Sequence, residues 1–320
     1  MSTIIRLILP FFGVIFLGYG AGRLSRVTSD SLAGLNFFVS YIAMPALFFQ
    51  LVAEAPPNEA SGWAFVATTT FSTYCAFAVA FSVGALVNRG HMLEATIQGL
   101  AGSWSNVGGM AAGLALSAFG TAAAVPMALI FTFDNALMVA LVPLMMALGG
   151  TARVERRVLA ETVLRQALLH PLVLATAAGL IVAAFHIRLP GAIDALLTML
   201  RNAAAPGALF ALGVGLASEP LDRVPPDLPI VVAVKLIVHP LIVYLLLGWV
   251  GGFDALWVYT AVLLAALPAG AGVVAYARQY GVYADQAGAA MLLGTIISIA
   301  SVTVVLILLV SNVLPIDPFR

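Results

Sequence analysis

Two stretches decide how this chain folds: Ser103-Trp104-Ser105-Asn106-Val107-Gly108-Gly109 and Leu267-Pro268-Ala269-Gly270-Ala271-Gly272. Each interrupts an apolar segment with residues that weaken a helix. Glycine costs roughly 1 kcal/mol in a helix interior relative to alanine, and proline lacks the amide hydrogen and crowds the preceding turn. Asn106 and Pro268 stand 268 − 106 = 162 positions apart in a chain of 320 residues. Unwound backbone at membrane depth is tolerated only where protein buries it or where it lines a wet cavity. Helix breakers at matching positions in two hydrophobic halves are the best sequence pointer to a transporter's substrate site. Each break has a plainer reading by itself. Gly109-Met110-Ala111-Ala112-Gly113 fits a small-residue helix contact, and Pro268 alone could be a kink. The matched pair favours the site.

Working outward, composition makes lipid the solvent. Apolar residues are 62% of the chain and charged residues 9%, against about 25% charged in an ordinary soluble domain. Zero net charge argues against a nucleic-acid partner. Cys75 is the single cysteine, so no intrachain disulfide can form. Lys235 is the only lysine and follows Ile230-Val231-Val232-Ala233-Val234, not a Gly-rich phosphate loop. ATP-driven pumping by this chain is therefore not expected. The apolar run after Arg6 is read as a first span, not a cleaved signal, because Arg23 and Arg26 follow it at once.

Ten segments are apolar over the roughly 20 residues a span needs: 4–22, 33–53, 62–87, 95–118, 122–147, 163–185, 196–217, 228–250, 255–277 and 286–311. Pro10 and Pro171 are 161 apart, as are Pro45 and Pro206, within the similar stretches Ala43-Met44-Pro45-Ala46-Leu47-Phe48 and Ala204-Ala205-Pro206-Gly207-Ala208-Leu209-Phe210. Five spans per half is an odd number, so the repeat is inverted: 1–150 and 163–320, joined by a basic connection at 151–162. Placing both termini outside puts Arg23, Arg26, Arg89, Arg153, Arg156, Arg157, Arg165, Arg223 and Arg278 in the cytoplasm, against Arg6, Arg188 and Arg320 outside.

Few side chains could carry chemistry. Asp134 lies about twelve residues, or ~18 Å, along span five, near the midplane. An ionised side chain there costs at least about 2.5 kcal/mol, which suits a proton-carrying, coupling role. The alternative is a structural carboxylic acid bonded to Asn135 or Thr132. Lys235 sits ~10 Å into span eight. It either snorkels to the cytoplasmic face or serves as a counter-charge for an anion or for Asp134. His239 shares its helix face one turn on, as a proton relay or a satisfied polar residue. Asn106, Gly108, Gly109, Pro268, Ala269, Gly270 and Gly272 would line the substrate crossing, where half-helix dipole ends suit a carboxylate. Arg201 marks the outer end of span seven. The His residues show no metal-ligand spacing, and no metal or cofactor is expected. No paired aspartates, His-rich motif or Ser–His pair suggests an intramembrane enzyme.

Over essentially its whole length the chain resembles the auxin efflux carrier family, whose bacterial members include malonate and malate carriers. The resemblance rests on Met44-Pro45-Ala46-Leu47-Phe48-Phe49, the Asn106-x-Gly108 break, Asp134-Asn135, Lys235-Leu236-Ile237-Val238-His239-Pro240, and Leu267-Pro268 through Ala275-Tyr276-Ala277-Arg278-Gln279-Tyr280-Gly281. Tyr276-Ala277 stands one step out of the family spacing. Ala111 and Gly113 replace the Gly and Pro that usually follow the first break, and Gly272 stands where many members have Asn. The resemblance implies broken helices four and nine crossing at mid-membrane, as in bile-acid symporters and sodium–proton antiporters. It also implies a homodimeric scaffold of spans one, two, six and seven. Spans three to five and eight to ten would move as an elevator, carrying a small organic anion across a bacterial inner membrane. Coupling is to protons or, in a bile-acid-symporter-like alternative, to sodium. The departures imply a sparser crossing than in relatives.

Overall fold

A backbone in lipid must satisfy its own polar groups, which leaves helices or closed barrels as spanning structures. The computed structural model describes residues 2–25, 29–54, 62–87, 90–150, 169–217, 227–311, 314, 315 and 318. Within these residues the regular structure is helical, with turns and short connections between helices and one isolated β-bridge. Helix α1 is Ser2–Ser25. Helix α2 (Ser29–Phe38) runs through a π-turn, Val39–Ala43, into α3 (Met44–Ala53). Helix α4 is Trp63–Val87 and α5 is Met92–Ser103. After the first break come a π-turn, Val107–Ala111, then α6 (Ala112–Phe119) and α7 (Ala124–Leu148). Helices α8 (Pro171–Ala184) and α9 (Gly191–Ala217) follow. Then α10 (Leu228–Ala233), a π-turn at Val234–Val238 and α11 (His239–Val250) form one rod. Helices α12 (Ala255–Ala265) and α13 (Ala271–Tyr280) flank the second break, before α14 (Ala284–Val310).

Five described helical stretches are long and apolar enough to cross a membrane: Leu32–Ala53, Trp63–Val87, Gly191–Ala217, Leu228–Val250 and Ala284–Val310. The basic connection at 151–162 lies outside the described residues, as do Arg26, Arg89, Arg153, Arg156, Arg157, Arg165, Arg223 and Arg320.

Two of the π-turns share a local cause. Pro45 and Pro240 each stand two residues beyond a widened turn. A proline ring crowds the carbonyl four residues earlier, and a turn with one extra residue relieves that clash without breaking the helix. The second of these turns carries Lys235 and so sets where its side chain points.

The chain divides into two compact units. The first comprises Met1–Trp63, Val107–Thr132 and His170–Ser218; the second comprises Ala64–Asn106, Phe133–Leu169 and Glu219–Arg320. In the first unit, α1 packs on α9 through glycines that bring main chain against main chain. A Cβ on Gly18 would strike the Phe210 carbonyl oxygen, and one on Gly213 would strike the Ile15 carbonyl and lie 2.8 Å from the Tyr19 nitrogen. Gly22, one turn beyond Gly18, faces the carbonyl of Val214, giving a small-xxx-small contact. Helix α8 packs on α3 in the same way: a Cβ on Gly179 would lie 2.7 Å from the Phe49 carbonyl oxygen. Gly18 and Gly179 are 161 positions apart, and so are Phe49 and Phe210. Arg201 pairs with Glu54 at 3.2 Å. Nearby, buried Gln50 donates to the Asp194 carboxylate at 3.0 Å and to Thr198 at 3.1 Å.

The second unit is built on α4, α5, the later part of α7 and α10–α14. Phe65 of α4 stacks edge-on against Trp257, with centroids 4.8 Å apart. Where α5, α10 and α14 meet, the buried Asp227 carboxylate accepts from both the Gln98 amide and the Tyr283 hydroxyl. Tyr283 takes a left-handed conformation, φ 56°, to begin α14. Burial, and then the bond to Asp227, raise its hydroxyl above the ordinary tyrosine range. It therefore remains a proton donor across the physiological range.

Candidate functional site

The two breaks are tied to each other by main chain. Helix α5 ends at Ser103, and Trp104 is extended (φ −78°, ψ 106°). Helix α12 ends at Ala265, and Gly270 is extended (φ −75°, ψ 154°) before α13 starts at Ala271. The Asn106 amide donates to the Pro268 carbonyl at 2.8 Å, and the Gly270 amide donates to the Trp104 carbonyl at 3.0 Å. Ser105 and Ala269 thus face each other in an antiparallel bridge. Four backbone groups freed by the breaks satisfy one another, which removes the penalty of several kcal/mol for each one left bare in lipid. The approach is close. A Cβ on Gly270 would lie 3.3 Å from the Ser105 carbonyl oxygen.

This geometry corrects the sequence reading of the first break. The unwound residues are Trp104, Ser105 and Asn106, whereas Gly108 and Gly109 lie in the π-turn Val107–Ala111. A widened turn accommodates glycines without unwinding, and the pairing partner across the bridge decides where the helix opens. Gly108 and Gly109 also belong to the first compact unit, while Asn106 and Pro268 to Gly272 belong to the second. A Cβ on Gly108 would meet the Phe131 ring at 3.4 Å.

Lys235 is buried, with 2% of its surface exposed. It does not snorkel. Its ammonium donates to Ser105 Oγ at 2.9 Å and to the Ala265 carbonyl oxygen at 2.5 Å, and it lies 3.1 Å from His239 Nδ1. Ala265 is the last residue of α12, and the Lys235 charge sits at the negative end of that half-helix. The three ammonium donors thus each have an acceptor, one from each break and one from its own helix. Apolar Ala101, Val232, Ala269, Ala290 and Gly294 close the remaining sides.

Among the described residues, Asp134 takes its partners from α4, not from Thr132. Thr73 donates to Asp134 Oδ2 at 2.9 Å, and Thr70 to Oδ1 at 3.4 Å. Thr132 instead bonds Thr176 at 3.3 Å, and the Asn135 side chain lies outside the described residues. His239 Nε2 lies 3.5 Å from Thr73 Oγ1, so Lys235, His239, Thr73 and Asp134 form one connected line. The structure therefore gathers Asn106, Pro268, Ala269, Gly270, Lys235, His239 and Asp134 into a single unit.

Sequence reasoning missed Thr73, Thr70 and Trp104. Threonine is unremarkable in a membrane helix, where it often bonds back to its own turn. The cluster Thr68-Thr69-Thr70-Phe71-Ser72-Thr73 was the available signal. The Trp104 indole lies where a Cβ on Gly272 would be, 2.5 Å from that position. It continues into Tyr276 (centroids 5.8 Å apart) and Tyr280 (6.5 Å further) along α13. Gly272→Val should therefore displace the indole at a cost of about 1–3 kcal/mol. Thermal unfolding in detergent should show that loss, and Trp104→Ala in the same chain should recover most of it. A simple sum of the two losses would disprove the contact's importance.

The sequence profile of the "Membrane transport protein" family matches residues 3–306. The chain belongs to this family, the auxin efflux carriers. It is a multi-pass membrane transporter and not an enzyme. This carrier is also 44% identical over 319 residues to a "Putative malonate transporter" of Rhizobium meliloti (strain 1021), covering all of both chains. The family resemblance read from the Asn106 and Pro268 breaks is thus correct.

Proposed function

We propose that this carrier moves a small carboxylate, with malonate the first candidate, as a proton-coupled secondary transporter. The observation that carries the proposal is the crossing itself. Two breaks are pinned by main-chain bonds around a buried ammonium, Lys235, with the N-terminal amides of α13 opening at the same place. The orphan amides of a helix start and a buried positive charge both suit a carboxylate. The name of the Rhizobium meliloti relative points to the same class of cargo. Asn106, Pro268, Ala269, Gly270 and Gly272 would form the substrate walls. Lys235 acts through its charge, because its donors are already engaged. Asp134, aided by Asn135 and His239, couples the cycle to protons.

The proposal extends to ten spans in two inverted repeats with both termini outside, in a bacterial inner membrane. It is supported by the matched contacts of Gly18 with Phe210 and Gly179 with Phe49, which share the 161-residue offset of the prolines. Spans three to five and eight to ten would form the mobile part of an elevator, on a homodimeric scaffold of spans one, two, six and seven. In this conformation residues 107–132 group with the helices of that scaffold.

Uptake of labelled malonate, malate and indole acetate into proteoliposomes, with and without a pH gradient, tests the function. Saturable malonate uptake stimulated by an inward proton gradient is expected; no carboxylate uptake would overturn the proposal, and dependence on sodium would replace protons as the coupling ion. Asp134→Asn keeps an acceptor for Thr73 but holds no exchangeable charge. Its uptake should lose the stimulation by the proton gradient. Stimulation equal to that of the unmodified carrier would remove Asp134 from coupling.

A further inference from the structure

The line from Lys235 to Asp134 has a direction. An ammonium has only donors, so His239 Nδ1 must accept from Lys235, and the imidazole proton of the neutral ring then sits on Nε2. Nε2–H faces Thr73 Oγ1 at 3.5 Å. Thr73 has one hydroxyl proton, and its nearer acceptor is Asp134 Oδ2 at 2.9 Å, against the Thr69 carbonyl at 3.2 Å. Every donor therefore points towards Asp134 and every acceptor back towards Lys235. Among the described residues, Thr70 and Tyr74 of α4 face Asp134; Ser105 after α5 and the Ala265 carbonyl of α12 face Lys235, beside apolar Ala290 and Gly294 of α14. Among these, Lys235, His239, Asp134 and Tyr74 are the titratable ones.

We propose that Lys235 and Asp134 exchange a proton through His239 and Thr73, so that the empty carrier returns without buried charges. This rests on the carboxylate-carrier reading above. In the forward step Lys235 gives a proton to His239 Nδ1, His239 gives its Nε2 proton to Thr73 Oγ1, and Thr73 gives its hydroxyl proton to Asp134 Oδ2. Three bonds to hydrogen break and three form. Lys235 becomes a neutral amine, His239 changes tautomer, Thr73 keeps its hydroxyl and Asp134 becomes a carboxylic acid; the net charge is unchanged. A bound anion beside Lys235 holds the ammonium in place, so that Asp134 takes its coupling proton from the medium and not from Lys235. Once the anion leaves, the neutral pair avoids holding two unscreened ions in an apolar interior. The His239–Thr73 link is the longest and is the one that the cycle must tighten.

The test separates net uptake, which needs the empty return, from exchange of internal for external substrate, which does not. Thr73→Val keeps the shape and removes the hydroxyl. Its net malonate uptake should fall about tenfold or more, while exchange stays within about twofold of the unmodified carrier. Thr73→Ser should restore net uptake. Net uptake in the unmodified carrier should also slow in heavy water, with exchange unaffected. Unchanged net uptake in Thr73→Val overturns the relay, and so does a parallel loss of exchange, which would make Thr73 structural. Absence of both activities in the unmodified carrier would instead sink the transport reading itself.

Discussion

Lys235→Met should abolish carboxylate uptake, by at least about a hundredfold, although methionine fills nearly the same space. The ammonium bonds to both breaks. Without it the Ala265 carbonyl loses its partner at the end of α12, His239 Nδ1 loses its donor, and Asp134 becomes a charge with no counterpart along the line. Removing one partner from a buried charged network costs about 3–5 kcal/mol, and a hundredfold loss in rate corresponds to only about 2.7 kcal/mol. Lys235→Arg should fail as well, because a planar fork cannot direct its donors to three acceptors arranged around a point charge. Adding Asp134→Asn to Lys235→Met should recover part of the lost stability but none of the uptake. That combination distinguishes a charge that holds the unit together from one that works on the cargo. Uptake with unchanged affinity in Lys235→Met would remove it from both roles.

Gly213→Val should be the most damaging substitution in the first compact unit. The added side chain meets main chain, the Ile15 carbonyl and the Tyr19 amide nitrogen, and main chain cannot rotate aside as a rotamer can. Helices α1 and α9 must separate, so the cost lies at the upper end of the overpacking range, about 3 kcal/mol or more. Gly18→Val should do the same through the Phe210 carbonyl, and Gly179→Val through the Phe49 carbonyl. Gly20 offers the control. It lies on α1 between Gly18 and Gly22, yet a Cβ there has nothing within 4 Å. Gly20→Val should leave thermal stability in detergent within about 0.5 kcal/mol of the starting carrier. Equal losses at Gly18 and Gly20 would show that helix propensity, not close packing, explains the glycines.

The helical membrane class was legible because its causes are local. Apolar length and helix breakers place a membrane helix without reference to what packs on it, and an offset of 161 shared by Pro10 and Pro45, with 162 at Asn106, needs no structure to be counted. The site was legible only where residue type forces a role. An aspartate or a lysine at membrane depth stands out, so Asp134 and Lys235 were found. Their partners were not, since Thr73 lies 61 residues from Asp134 and Ser105 lies 130 from Lys235. Nothing in the order of residues says which threonine turns inward. The first break was drawn too wide for a related reason. Glycine signals permission to unwind, but Trp104 to Asn106 unwind because they find the chain around Ala269 to pair with. The widened turn that joins α10 to α11 ahead of Pro240 was also hidden, because the motif Lys235 to Pro240 does not announce it.

The crossing is held by the amides of Asn106 and Gly270 and the carbonyls of Pro268 and Trp104, groups that nearly every residue type carries. Its frame therefore places little demand on the genetic alphabet at the positions that face the cargo. Side chains around it, such as the Trp104 indole that lies over Gly272, can change while the frame persists. A lineage built on such a joint can diversify its cargo by small steps, each variant still a working machine, and need never pass through a broken one.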